Sequence, residues 1–156
     1  MEPTVLELIR TQAATLRRKI CLTESDDVRN LRAAAKLVQT GYAVPVLVGD
    51  EAAIRSLAQE NDVDLSGVEV ADLRNHPSLD RYVDVVVERR QHKGMTAEKA
   101  RAWLQDTCAF SAAMVAAGDA HGYVAGGGNP QGYNHNTGQK TLPALQLFGT
   151  APGIRT

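Results

Sequence analysis

The stretch KICLTESDDVRNLRAAAKLVQTGYAVPVLVGD, residues 19–50, decides the fold class. Lys19-Ile20-Cys21-Leu22 is a short apolar run that breaks at the polar and acidic residues Thr23 to Asp27. Hydroxyls and carboxylates there suit the positive end of a helix and offer several residues able to cap its free N–H groups. Val28, Leu31, Ala35 and Val38 then share one helical face, with Arg29, Arg32 and Lys36 elsewhere, until Gly41 supplies a stop. Val44 to Val48 is a second apolar run. The order is therefore strand, helix, strand.

Outward from this unit the alternation continues. Toward the amino terminus, Val5, Leu8, Ile9 and Leu16 recur at near-helical spacing after Pro3, a residue suited to a first helical turn, and predict an amphipathic helix. Toward the carboxyl terminus, Gly49-Asp50 leads into a helix bearing Ala53, Ile54, Leu57 and Ala58, and Val68 to Ala71 is a third strand. Pro77 opens a helix with Leu79, Val83, Val86 and Val87 on its buried side, ended by Gly94. Thr96 caps a helix presenting Ala100, Trp103 and Leu104, Ala109 to Ala117 is a helix of small residues, and Gly122 to Ala125 is a fourth strand. Short apolar strands alternating with helices predict a three-layer αβα sandwich around a mostly parallel sheet, with ligands at the carboxyl ends of the strands. From Gly126 to Leu142 the composition turns rich in Gly and Asn and predicts a long loop, and Leu142 to Phe148 reads as a short helix.

Length and composition bound the function classes. A chain of 156 residues is of single-domain size, and 44% hydrophobic with 22% charged residues is the balance of a globular protein. A formal net charge of -1, from acids and bases interspersed along the chain, gives no long-range pull on nucleic acid or anionic lipid. Glu2, Glu7, Arg10, Arg17 and Arg18 interrupt the first aliphatics, which excludes a signal-peptide core and a membrane span there. Two cysteines, Cys21 and Cys108, without CxxC or ligand spacing, fit a reduced, cytoplasmic compartment and a role in packing. The four histidines show no i, i+4 pair, so no metal site is expected. Gly126-Gly127-Gly128 lacks both the P-loop and the dinucleotide spacing and reads as a hinge or turn, which leaves a nucleotide-binding module as a weaker third reading.

Five stretches in series resemble the phosphate acetyltransferase and phosphate butyryltransferase family. Thr23 to Ala35 looks like its acidic loop and Arg-x-Leu-x-Ala-Ala helix, and Ala43 to Asp50 is similar to its second strand and turn. Arg90 to Ala100 resembles a basic helix end, turn and next helix; Gly118 to Gly126 resembles the entry to the active-site loop; Pro143 to Gln146 with Thr150 to Gly153 resembles the segment after that loop. The series spans roughly residues 17 to 155. It implies reversible acyl transfer, usually of acetyl, between acetyl phosphate and coenzyme A, on a scaffold like that of isocitrate and isopropylmalate dehydrogenases. In that family the catalytic cleft lies between two domains, and coenzyme A is a substrate with no cofactor bound.

On the same comparison residues 1–156 form one domain, the amino-terminal portion of a chain about twice as long. The absent second domain would supply the serine, arginine and aspartate that complete the site, so the isolated chain is expected to be inactive and no catalytic residue is assigned within it. Its uncovered apolar surface predicts a homodimer.

Acyl transfer needs a base for the thiol, donors for an oxyanion and cations for the phosphate. Only the last task has candidates here. The family loop reads His-Ser-Thr, a short spacer, then Arg-Pro-Ala-Leu; the matching stretch is His135-Asn136-Thr137-Gly138-Gln139-Lys140-Thr141-Leu142-Pro143. Either Leu142 fills the arginine position or the arginine is deleted, and in both alignments Lys140 is the remaining charge, without a guanidinium's paired donors. The candidate substrate-binding residues are His135, Asn136, Thr137, Lys140, Arg29 and Arg90. Their bland counterparts are a polar loop capping its own turns, a solvated surface arginine at position 29, and a basic helix end stabilised by the helix dipole at Arg90. The altered loop also admits a second function class, a non-catalytic interaction or regulatory domain on the same scaffold.

Overall fold

A computed structural model describes residues 3–125. In chain order they form α1 (Val5–Leu16), β1 (Lys19–Leu22), α2 (Val28–Thr40), β2 (Val44–Gly49), α3 (Glu51–Glu60), β3 (Glu69–Asp72), α4 (Leu79–Arg90), α5 (Ala97–Trp103), α6 (Thr107–Ala116) and β4 (Gly122–Val124). The strands make one parallel sheet in the order β3-β2-β1-β4, with Cys21 opposite both Val46 and Tyr123, and Val48 opposite Ala71. The expected parallel α/β sheet is present.

Period-two alternation along the strands feeds two cores. Cys21, Val46, Val48 and Ala71 face α4, α5 and α6, where Tyr82, Val83, Val86, Phe110, Ala113 and Met114 meet them. Leu22 and Leu47 face the other way, onto Leu31 and Ala34 of α2 and Ile54 and Ala58 of α3. Side-chain caps fix where the helices begin. Asp27 accepts from Arg29 N–H, Asp50 from Ala53 N–H, Thr96 from Lys99 N–H and Asp106 from Ala109 N–H, each satisfying a donor without an intrahelical partner.

The structure moves several boundaries. Thr4, not Pro3, begins the first helix, through a capping box with Glu7. In α2 the buried stripe runs through Leu31 and Ala34, leaving Ala35 half-buried beside it. Pro77 precedes the cap position at Ser78, so α4 starts at Leu79. The third strand starts one residue late because Val68 N–H closes a turn onto the Leu65 carbonyl at 3.0 Å.

Candidate functional site

Every turn from β1 and β2 into the next helix lies at the carboxyl edge of the sheet. The edge is also where the strand order changes direction, because β1 has β2 on one side and the late-arriving β4 on the other. A crevice opens at such a switch point for topological reasons alone. Here it is a cleft of about 710 Å³. Residues Thr23 to Asp26 form one wall, Val48 to Asp50 the floor, and Ala53, Leu57 and Glu60 of α3 the opposite wall, with Thr107 of α6 at the rim.

Hydrogen bonds to the main chain hold the Thr23–Asp26 wall and the turn behind β2. Thr23 donates to the Val124 carbonyl twice, from its N–H at 3.3 Å and from Oγ1 at 3.2 Å, stitching the end of β1 to the end of β4. Ser25 Oγ donates to the Leu22 carbonyl at 3.2 Å, and Asn30 Nδ2 to the Glu24 carbonyl at 2.9 Å. Behind the β2 turn, Asp72 accepts from Glu51 N–H at 3.1 Å, Arg74 N–H at 2.8 Å and Asn75 N–H at 2.9 Å. Burial alone would raise this carboxyl, but the three amides hold it below the ordinary carboxylate range.

The lining carries one sign of charge. Glu24, Asp26, Asp50 and Glu60 contribute carboxylates, and the described lining contains no lysine or arginine. Hydroxyls of Thr23, Ser25, Ser56 and Thr107 and the apolar side chains of Val48, Ile54, Leu57 and Leu73 also line it. Such a surface suits a neutral or cationic group or an apolar chain, and disfavours a bare phosphate.

Of the residues singled out in the sequence, Arg29 lies in the first turn of α2 beside this edge. Its guanidinium grips Asp27, with Nε 3.1 and 3.0 Å from the two carboxylate oxygens and Nη2 at 2.6 Å, and it does not line the cleft. The same pair lowers the Asp27 carboxyl. Arg90 closes α4, with its guanidinium 5.9 Å above the Trp103 ring, and does not line the cleft either. His135, Asn136, Thr137, Lys140 and the loop 126–142 lie outside the described residues.

Thr23, Ser25 and Thr107 were not among the sequence candidates. Residues 23–27 read as caps, which Asp27 is, and nothing local marks Thr107 as a neighbour of Thr23. Their common signal is position, a polar residue directly after a buried strand or at the start of a helix in a parallel α/β pattern.

Burial disfavours the thiolate at both cysteines. Burial pushes Cys21 up to about 12, and burial also raises Cys108 despite a hydrogen bond with Thr23. Among the described residues no three or more His, Cys, Asp or Glu side chains converge to hold a metal.

Comparison with known proteins points the same way. The chain matches the family model described as phosphate acetyl/butaryl transferase over residues 4–156. A phosphate acetyltransferase of Acetivibrio thermocellus is 39% identical over 150 residues, which is 96% of this chain and 43% of that protein. One from Clostridium acetobutylicum is 35% identical over 151 residues, 97% of this chain and 44% of that protein. The solved phosphotransacetylase from Staphylococcus aureus superposes with a TM-score of 0.83 at 33% identity, over 97% of this chain and 44% of that one. The chain thus spans less than half the length of the relatives it matches.

Proposed function

The chain belongs to the phosphate acetyl/butaryl transferase family, and from that membership we propose that it is the amino-terminal portion of an enzyme moving an acetyl group reversibly between acetyl phosphate and coenzyme A. The scaffold is of the isocitrate and isopropylmalate dehydrogenase type, with catalysis in a cleft that this portion walls on one side. One observation carries the reading: a cleft of about 710 Å³ over the strand ends has the right place for a substrate, while its described lining holds no lysine or arginine for the phosphate.

In the forward direction the coenzyme A thiolate attacks the acetyl carbonyl, a carbon–sulfur bond forms, the carbon–oxygen bond to phosphate breaks, and phosphate departs. A base must take the thiol proton, donors must receive the oxyanion, and cations must hold the phosphate. Acidic lining at Glu24, Asp26, Asp50 and Glu60 argues for phosphate being held elsewhere, by His135, Asn136, Thr137 and Lys140 together with residues of a second portion. Arg29 joins them only if it exchanges Asp27 for the phosphate, and Arg90 only if it leaves Trp103. The apolar floor suits the acetyl methyl or the pantetheine arm of coenzyme A.

No nucleic-acid partner is part of this reading. A cytoplasmic location fits two free cysteines. No helix among the described residues is long and apolar enough to cross a membrane.

The test is thioester formation from acetyl phosphate and coenzyme A, followed by absorbance. The isolated chain should show no turnover, and the same chain fused to the carboxy-terminal part of the Acetivibrio thermocellus relative should show some. Turnover by the isolated chain at ordinary enzyme rates would overturn the portion reading. A second reading, a non-catalytic interaction domain, is favoured by the loop that lacks its arginine. Calorimetry showing specific acetyl phosphate binding to the isolated chain would count against it.

A further inference from the structure

Asp72, at the end of β3, divides its two carboxylate oxygens between different tasks. Oδ1 accepts from Arg74 N–H at 2.8 Å and Asn75 N–H at 2.9 Å, and so closes the turn that follows the strand. Oδ2 accepts from Glu51 N–H at 3.1 Å, 21 residues away in sequence. The local turn needs only one oxygen, and an asparagine carbonyl would close it as well. A carboxylate at this position is therefore explained by its second oxygen.

That oxygen reaches the turn between β2 and α3. Glu51 is the first residue of α3, where a backbone N–H has no intrahelical partner. Asp50, the cap, accepts from Ala53 N–H at 3.0 Å and leaves the Glu51 donor to Asp72. Next to it, Leu73 N–H donates to the Gly49 carbonyl at 3.3 Å, so the end of β3 holds the turn at 49–51 from two adjacent positions.

The turn so held belongs to the cleft. Gly49, Asp50, Ala53 and Leu73 line it, and Asp72 itself does not. Gly49 fits closely there, because an added Cβ would lie 3.3 Å from Ile54 Cδ1 and 3.6 Å from Ser25 Cβ. Ser25 stands on the facing wall, so a displaced turn changes the spacing of the two walls. Of the two substrates, coenzyme A is the one matched to this space. The described lining holds no lysine or arginine for a phosphate, and about 710 Å³ over Val48, Ile54, Leu57 and Leu73 exceeds what an acetyl methyl fills. A long, uncharged arm fits both facts. We propose that Asp72 is a positioning residue for acyl transfer, setting the width of the cleft for the arm of coenzyme A by holding the Glu51 amide. This rests on the reading of the chain as a portion of an acyltransferase whose substrate enters the cleft over the strand ends.

Two variants remove the same hydrogen bond from opposite ends, in the fusion to the carboxy-terminal part of the Acetivibrio thermocellus relative. Asp72→Asn keeps an oxygen for Arg74 and Asn75 and turns an NH2 donor toward the Glu51 N–H. Glu51→Pro deletes the donor instead. Proline suits the first helical position, and Asp50 already has the extended backbone, φ -77° and ψ 115°, that a following proline requires. Each variant should raise KM for coenzyme A about tenfold, the scale of one hydrogen bond to a charged acceptor, with kcat and KM for acetyl phosphate unchanged. The double variant should do no more than either single one, because one bond cannot be lost twice. An unchanged KM for coenzyme A in both single variants would overturn the assignment and keep the function. Additive losses in the double variant, or a fall in kcat that follows the folded fraction, would also overturn it and leave Asp72 a purely structural residue. An unaltered fusion that neither binds nor turns over coenzyme A would overturn the functional reading, and the assignment with it.

Discussion

The fully buried Tyr82 of α4 donates its hydroxyl to the Asp119 carboxylate at 2.6 Å, so one phenol ties α4 to the turn between α6 and β4. Its ring stands edge-on to Phe110 of α6, with centroids 5.2 Å apart. Arg81 donates to the same carboxylate and, at 3.3 Å, to the Ala117 carbonyl. Burial and the neighbouring carboxylate push the phenol well up, so it stays a donor across the physiological range.

Removing the hydroxyl alone separates that bond from the packing. Tyr82→Phe keeps the ring and should cost about 1–2 kcal/mol, the value of a hydrogen bond to a charged acceptor. Arg81→Ala should cost less than Tyr82→Phe, because its ion pair with Asp119 is solvent-exposed and screened. Thermal denaturation of both variants checks the order. Arg81→Ala proving the more damaging of the two would show that the carboxylate is held mainly from outside.

His76 gives the fold a pH dependence of predictable sign. Its ring stacks on Tyr82 at 5.2 Å, and its Nδ1 accepts from Ser78 N–H at 3.1 Å. Burial is the main cause that lowers its pKa; Arg81 and Lys19 act the same way, while Asp119 and Glu69 oppose them. Protonation must also take the nitrogen that serves as acceptor. The unfolded chain, with an ordinary histidine near 6.5, then binds the proton more readily than the folded one. Stability should be unaffected above about pH 6.5 and should fall as the pH drops below it toward the lowered folded value. Urea midpoints at pH 7.5 and 5.5 measure this, and His76→Phe should flatten the difference. An unchanged slope in that variant would assign the effect to other groups.

Much of this fold was legible because each strand and helix in residues 19–50 carries its own local signal. Apolar runs of four to six residues, Asp27 and Asp50 as caps and Gly41 as a stop agree with the sheet in which they sit. Ala34 in place of Ala35, and the start at Leu79 after Pro77, were missed because both depend on how a helix rotates against its neighbours, which no window of sequence contains. Tyr82 went unnoticed among the valines of α4 for the same reason; its partner Asp119 is 37 residues away. The outward apolar face of α1 is a further case. Spacing revealed an amphipathic helix, but not that Val5, Leu8, Ile9 and Leu16 stay exposed. In the site, caps and cleft walls are the same residues, and periodicity reports only the first role.

The loop departure predicts a specific gain. If Leu142 occupies the place of a phosphate-holding arginine, Leu142→Arg in the fusion should raise kcat/KM for acetyl phosphate by about 10²-fold, the scale on which preorganised donors act. Lys140→Ala should lower whatever rate the unaltered fusion has, chiefly through KM. Steady-state kinetics at varied acetyl phosphate decides both. A Leu142→Arg fusion that folds but gains nothing favours the deletion alignment.

Gly67 and Gly41 form a matched pair on which backbone strain and crowding can be told apart. Both hold φ in the left-handed region, at +80° and +67°. A Cβ on Gly41 would meet nothing within 4 Å, whereas one on Gly67 would lie 3.0 Å from Val38 Cγ1. Gly41→Ala should therefore cost only the conformational term, about 1–2 kcal/mol. Gly67→Ala should cost about 1–3 kcal/mol more, because the β-branched Val38 is stiff at χ1 and its methyl must give way to the new Cβ. The turn cannot simply slide, since Asp64 Oδ1 holds Ser66 N–H at 2.8 Å and the Leu65 carbonyl holds Val68 N–H at 3.0 Å. Val38→Ala removes the obstructing methyl, so Gly67→Ala and Val38→Ala combined should destabilise by less than the sum of the two alone, a coupling that Gly41→Ala should not show with Val38→Ala. Chemical denaturation of the five variants measures it. Additive costs at Gly67 would mean that the turn before β3 yields rather than the valine.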